Sequence, residues 1–296
     1  MDPLLTIVTP SYNHGRFLEK TIQSVLNQSF SDFRYLLWDD GSRDDSCDII
    51  RRYADQDSRI VARVHDKHAN KGLCETLASC IREVRTEYVA FLESDDQYKK
   101  DFLQSMVRCI GRHPDAALLF CRVEPFGNEE IIRAHRAILE RKRRLALKSG
   151  ADKADLLFNT PVTTFSGAVV KTGVVKKVRF DPGAGDELDH SVFTQLLCLG
   201  RTVFVDRALV RWQKYPESYS ALSKDRTKYQ SFRMRFELCY PDADDRERAL
   251  LNFLLLERHP RLEMGLRKQA RFLIKYMARK KWGDCPLNIV SCSGRP

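Results

Sequence analysis

Residues 89–96 read Val-Ala-Phe-Leu-Glu-Ser-Asp-Asp, an apolar run that ends abruptly in three carboxylates. Carboxylates gathered in one place repel one another, so Glu93, Asp95 and Asp96 imply a cationic ligand, and oxygen-rich sets of this kind suit hard divalent ions such as magnesium or manganese. The plainer alternative is a polar strand-to-helix turn with Asp96 near a helix N-cap. Two further stretches carry related chemistry: Pro10-Ser11-Tyr12-Asn13-His14-Gly15, and Asp39-Asp40-Gly41-Ser42. Tyr12 offers an aromatic face for a base. The acidic pair offers acceptors for base N–H groups and ribose hydroxyls, and the third group would hold a metal-bound diphosphate.

Those groups can meet only if the elements carrying them share an edge. Residues 4–9, 33–38, 60–64 and 89–92 are short apolar runs of β type, and helical spacing recurs between them, as at Phe17, Ile22, Val25 and Leu26. Val89 to Leu92 shows no alternation, which fits a strand covered on both faces. The resulting β-α-β-α-β-α-β order predicts a mostly parallel sheet with right-handed crossovers. Parallel strands present their carboxyl ends on one side, so Tyr12, Asp40 and Asp95-Asp96 converge there, where open α/β sheets bind ligands. Asp96 is expected to face solvent.

Composition narrows the classes. The chain has 296 residues, 43% of them hydrophobic, enough for one α/β core and a smaller appendage. No apolar run reaches the roughly 18 residues of a membrane span, and the first residues lack the basic start of a signal peptide, so a cytoplasmic protein is expected. Nine cysteines without a C-x-x-C pair fit reduced thiols. The net charge of +10 is concentrated: residues 258–281 hold nine basic side chains against Glu263 alone. The rest is nearly neutral, which argues against a body built for a long polyanion, and no nucleic-acid partner is expected.

Taken in order, Val8-Thr9-Pro10-Ser11-Tyr12-Asn13, Ser24-Val25-Leu26-Asn27-Gln28-Ser29-Phe30, Asp39-Asp40-Gly41-Ser42-Arg43-Asp44, Asn70-Lys71-Gly72 and residues 87–96 resemble the family 2 glycosyltransferases of GT-A fold. The likeness is strong from residue 4 to about 120 and continues to about 220. It implies an α/β fold with a mostly parallel central sheet flanked by helices, and transfer of a sugar from a nucleotide-sugar donor to a hydroxyl acceptor. By resemblance Pro10 and Tyr12 line the nucleobase, Asp40 accepts from its ring N–H as for uridine donors, Asp95 faces the ribose, and Asp96, with Asp95, holds a manganese or magnesium ion. Relatives often have aspartate at the place of Glu93, so its longer arm is expected to shift one carboxylate. They also often carry Arg-x-His where Gln213 and Tyr215 stand.

Asp189, ahead of an apolar stretch to Gly200, is similar to the family's acidic helix, whose aspartate is the base in inverting members. Leu188 stands where relatives have glutamate, so Asp186 and Glu187 are alternatives. Residues 181–185 read as a flexible loop, 165–170 as a return strand, 128–149 as a charge-rich solvated helix, and 203–205 and 208–212 as two strands.

Two regions are expected: a glycosyltransferase domain over 1–222 and a basic helical region over 223–296, with helices near 228–239, 244–257 and 262–280. In the last, Leu262, Leu266, Ala270, Leu273 and Met277 form an apolar stripe opposite basic residues. That stripe reads equally as core packing or as a peripheral hold on an anionic membrane surface. The expected product is a cell-surface polysaccharide, on a glycan or lipid-linked acceptor. The alternatives are a catalytically inactive module of the same fold that docks to membrane or nucleic acid, and a nucleotidyltransferase. The first would favour loss of Asp95, Asp96 or Asp189, and the second a Gly-rich basic loop after the first strand; neither feature is present.

Overall fold

The computed structural model describes residues 3–65, 69–149, 151–156, 159–218, 239 and 287–292. Its first half follows the expected alternation: β1 (Leu5–Ser11), α1 (Gly15–Leu26), β2 (Phe33–Asp39), α2 (Ser46–Gln56), β3 (Ile60–Val64), α3 (Leu73–Glu83) and β4 (Tyr88–Phe91). The second half contains β5 (Gln97–Tyr98), α4 (Phe102–Arg112), β6 (Leu118–Gly127), α5 (Glu129–Ala146), α6 (Lys153–Leu156), β7 (Ala168–Lys171), α7 (Thr172–Val175), α8 (Leu188–Leu199), β8 (Thr202–Lys214) and β9 (Ile289–Ser291).

One nine-stranded sheet runs β3-β2-β1-β4-β7-β6-β8-β5, with β9 also on β8. Strands β3, β2, β1 and β4 are parallel, so β1, β2 and β4 deliver their carboxyl ends to one side. Strand β7 is antiparallel to both β4 and β6, and β6 runs parallel to β8. This is the mostly parallel, helix-flanked α/β architecture expected.

Both faces are covered, and the side chains divide by strand parity. Val8, Leu36, Val89 and Phe91 pack with Leu77 and Ile81 of α3 and Phe193 and Leu196 of α8. Leu5, Ile7, Tyr35, Leu37 and Ala90 pack with Leu18 and Ile22 of α1 and Phe102 and Met106 of α4. Burial on both sides explains why β4 has no polar alternation.

Several boundaries differ from the sequence reading. Strand β1 continues through Pro10 to Ser11: it pairs with β4 only at residues 5–8, so the missing N–H of Pro10 faces no partner strand. Residues 203–205 and 208–212 belong to one strand, β8, whose pairing with β6 shifts register around Arg122. Residues 165–167 form a 3-10 turn before β7. The stretch read as a flexible loop is also a 3-10 turn, Pro182–Glu187, opened by the Asp181 carboxylate accepting from Gly183 N at 2.8 Å.

The three expected C-terminal helices lie outside the described residues, apart from helical Cys239. Within the region expected to be helical, β9 instead adds a strand to the main sheet, and Cys292 Sγ lies 2.7 Å from Cys109 Sγ of α4. Among the described residues no helix is long and apolar enough to cross a membrane.

Candidate functional site

The carboxyl ends of β1, β2 and β4 place the expected groups on one side of the sheet. Tyr12, just past β1, is 40% exposed, and Pro10 is buried inside the strand beside Trp38 of β2. Asn13 adopts φ 52°, a conformation that asparagine tolerates better than most residues; its Oδ1 accepts from Arg43 N at 2.8 Å and its N–H donates to Ser42 Oγ at 2.9 Å. The loops after β1 and β2 are thereby tied together.

The acidic pair after β2 divides its work. Asp39 Oδ1 accepts from Gly41 N and Ser42 N at 3.0 and 2.8 Å, closing a turn that mimics backbone pairing. Asp40 is 3% exposed, and its two oxygens accept from Lys71 N at 2.8 Å and Gly72 N at 2.9 Å, with His65 Nε2 at 3.4 Å. Gly72, at φ 83°, caps α3 and turns these two N–H groups toward Asp40. The residue expected to read the nucleobase therefore also holds the Asn70-Lys71-Gly72 loop in place.

At the end of β4 the carboxylates spread in different directions. Asp96 is 1% exposed, not solvent-facing: its Oδ2 accepts from Ser166 Oγ at 2.6 Å and its Oδ1 from Gln213 N at 2.8 Å. Burial, with Asp95 and Glu93 alongside, raises its carboxyl well above the usual range. Glu93 accepts from the Thr164 hydroxyl, and its N–H donates to Ser166 Oγ at 3.0 Å. Its longer arm has thus turned toward the turn before β7. Burial first and Asp95 next push its carboxyl up to about 7. Asp95 is half-buried, and after burial its charge helps hold the Tyr215 hydroxyl in its protonated form; that hydroxyl lies 3.2 Å from His14 Nε2. The Nδ1 of the same histidine is 2.7 Å from Ser94 Oγ.

Asp189 stands in the first turn of α8, and its charge acts on both Glu93 and Lys214. Asp189 is therefore within electrostatic reach of Glu93 and Lys214. His190 N donates to Asp189 Oδ1 at 2.7 Å, and His190 Nδ1 lies 3.4 Å from Glu187 Oε2.

Lys214, the last residue of β8, was not singled out in the sequence. It is 3% exposed; burial pushes its ammonium down to about 8, while Asp96, Glu93, Asp95 and Asp189 pull it back up. Thr164 and Ser166 are likewise site residues that no motif marked, while His14 and Gln213 stood in marked stretches without a role of their own. The available signal was the Arg-x-His position, where Gln213, Lys214 and Tyr215 follow an aromatic strand into a Pro-containing loop.

The donor set suits a divalent ion. Burial and mutual crowding raise the carboxyls of Asp96 and Glu93, so the ionised forms of both are disfavoured until a cation offsets them. Among the described residues no group of three or more His, Cys, Asp or Glu side chains converges to hold an ion alone. An ion here would be held by Asp96, with Asp95, and would need further oxygen donors from a bound ligand.

Comparison with known proteins agrees with this architecture. Residues 6–179, more than half of the chain, match glycosyl transferase family 2. The putative teichuronic acid biosynthesis glycosyltransferase TuaG of Bacillus subtilis is 37% identical over 105 residues, 36% of this chain and 41% of that protein. The uncharacterized glycosyltransferase EpsJ of the same organism is 36% identical over 106 residues, 36% of this chain and 30% of that protein. The chain thus spans less than half the length of these relatives. Among solved structures, Staphylococcus aureus TarS 1-349 in complex with UDP superposes with a TM-score of 0.61 at 15% identity, over 90% of this chain and 77% of that one. The mannosyltransferase PcManGT of Pyrobaculum calidifontis, in complex with GDP-Man and Mn2+, gives 0.57 at 14% identity, over 95% of this chain and 88% of that one. At these identities the superpositions speak for the GT-A fold. By the match over residues 6–179, the chain belongs to glycosyl transferase family 2.

Proposed function

We propose that this protein is a metal-dependent glycosyltransferase that moves a sugar, with inversion, from a UDP-sugar to a hydroxyl of a glycan or lipid-linked acceptor in surface polysaccharide synthesis. The observation that carries this reading is the gathering of Glu93, Asp95 and Asp96 at the end of β4 with Asp189 of α8 acting on the same cluster. UDP and UDP-GlcNAc bound to TarS, and the teichuronic acid biosynthesis for which TuaG is named, support the donor and the acceptor class.

In this reading Tyr12 and Pro10 line the base, Asp40 accepts from its ring N–H, and Asp95 faces the ribose. Asp96, with Asp95, would hold the divalent ion, which when bound stabilises negative charge on the diphosphate without proton transfer. Asp189 takes the proton of the acceptor hydroxyl as its oxygen attacks the anomeric carbon from the face opposite the diphosphate. The bond from that carbon to the diphosphate oxygen breaks, and its electron pair leaves with the nucleoside diphosphate. Ser166 and Gln213 fix the Asp96 carboxylate, and Thr164 keeps Glu93 aside.

The test is thermal stabilisation by UDP, GDP, CDP and their sugars, each with manganese or with EDTA. UDP at 100 times its dissociation constant should add about 2.7 kcal/mol in manganese and much less in EDTA. A clear preference for GDP, CDP or their sugars contradicts the donor assignment. The peripheral membrane reading concerns the basic stretch within 223–296; deleting residues 257–286 should abolish binding to vesicles containing phosphatidylglycerol, and undiminished binding rejects it.

A further inference from the structure

We propose that Lys214 is a fixed cation for the donor's diphosphate, so that the enzyme divides the leaving group's charge between the divalent ion and a built-in ammonium. This rests on the nucleotide-sugar reading above.

The ammonium is almost wholly buried and stacks on the Trp212 ring, 3.1 Å from its centroid. Glu93, Asp95, Asp96 and Asp189 all act on it, yet among the described residues it makes neither an ion pair nor a hydrogen bond. The indole face is its one close partner, and a buried ammonium held only by a ring is still costly next to one closed onto a carboxylate. Here all four remain at a distance. The resting cleft therefore keeps a positive charge available for an oxyanion that enters between the β4 carboxylates and α8.

The backbone shows why the ammonium stays there. Lys214 O accepts from Asn128 N at 2.9 Å, across a pairing with Gly127 at φ 112°, where a Cβ would come within 2.3 Å of that same oxygen. One residue earlier, Gln213 N donates to Asp96 Oδ1. The end of β8 is pinned on both sides, and the indole beneath the side chain blocks its retreat. A diphosphate drawn to Asp95 and Asp96 by an ion then meets Lys214 on its other flank. No bond is made or broken by the lysine: it receives negative charge as the sugar–oxygen bond breaks, which is most useful in a site closed to water.

The experiment is calorimetric titration of UDP, with uridine binding followed by ligand-observed NMR, for the wild type, Lys214→Met and Lys214→Arg in manganese and in EDTA. Lys214→Met should weaken UDP binding by roughly 10- to 100-fold and leave uridine binding unchanged; Lys214→Arg should recover much of the loss. In EDTA the wild type should keep weak UDP binding that Lys214→Met lacks. Should the methionine variant not fold, Lys214→Gln, of similar length and uncharged, should give the same order. UDP binding of wild-type strength in a folded neutral variant overturns the inference, and so does an equal loss for uridine and UDP. A wild type that binds UDP in neither condition defeats the donor reading itself, and this inference with it.

Discussion

The two halves of the sheet contribute to the same cleft in different ways. Strands β1 to β4 are parallel, and they present Tyr12, Asp40, Asp95 and Asp96 through nothing more than a shared strand direction. The β7-β6-β8 half reaches the cleft through irregular pieces: the turn holding Thr164 and Ser166, the first turn of α8, and the end of β8. In the proposed reading the first half is a donor-holding surface, and the second supplies hydroxyls, an N–H, a lysine and Asp189, the groups that would orient carboxylates, offset their charge and act on the acceptor.

This division predicts that damage to the second half separates binding from turnover. Asp189→Asn should lower turnover by about 10²- to 10⁴-fold with donor binding preserved. Equal losses of both would place Asp189 in the donor half. Asp96→Asn should lower turnover by about 10²- to 10³-fold and weaken UDP in manganese, because it removes the charge that holds the ion. The melting temperature of that variant should not fall, since an aspartate raised well above its usual range destabilises the fold when ionised. A variant fully active in EDTA would sink the metal assignment.

Asp40→Ala tests the first half alone. It leaves the N–H groups of Lys71 and Gly72 without their acceptor, so stability and UDP affinity should drop together, each by on the order of 1–3 kcal/mol. Loss of affinity without loss of stability would mean that Asp40 serves only the base.

The pH dependence of stability without ligand should be of similar or smaller size, and its sign differs between the halves. Glu93 titrates near 4.5 when unfolded and at about 7 in the fold, so the folded state binds the extra proton between these values. Stability contributed by Glu93 therefore falls as pH rises from about 4.5 to about 7, by on the order of 2 kcal/mol after screening. Lys214 is lowered from 10.5 to about 8, so the unfolded state binds the extra proton there and stability rises across that window. The site's own contribution should be lowest near pH 7–8. Glu93→Gln should flatten the acid side and Lys214→Met the alkaline side in thermal melts, and an unchanged profile in both would remove this electrostatic picture.

Legibility followed the same line. Residues 89–92 could be read because a strand buried on both faces needs an unbroken apolar run, and Asp95-Asp96 because such a run rarely ends in carboxylates. Asp189 emerged only by resemblance, since Leu188 interrupts the acidic pattern. Thr164, Ser166 and Lys214 could not be read, because serine, threonine and lysine are ordinary in loops and at strand ends. Only the pairing of β7 with β4 and of β6 with β8 brings them within reach of residues some 70 to 120 positions earlier. Likewise β9 was hidden because Ile289–Ser291 is too short to stand out beside a long helical pattern.

The most direct test is UDP release from a panel of UDP-sugars, with water in place of the acceptor, for the wild type, Asp96→Asn and Asp189→Asn, alongside UDP affinity in manganese. The two-sided site predicts release from at least one UDP-sugar by the wild type, loss of release and affinity in Asp96→Asn, and loss of release alone in Asp189→Asn. Wild-type release by Asp189→Asn, or UDP affinity unchanged in Asp96→Asn, would contradict it.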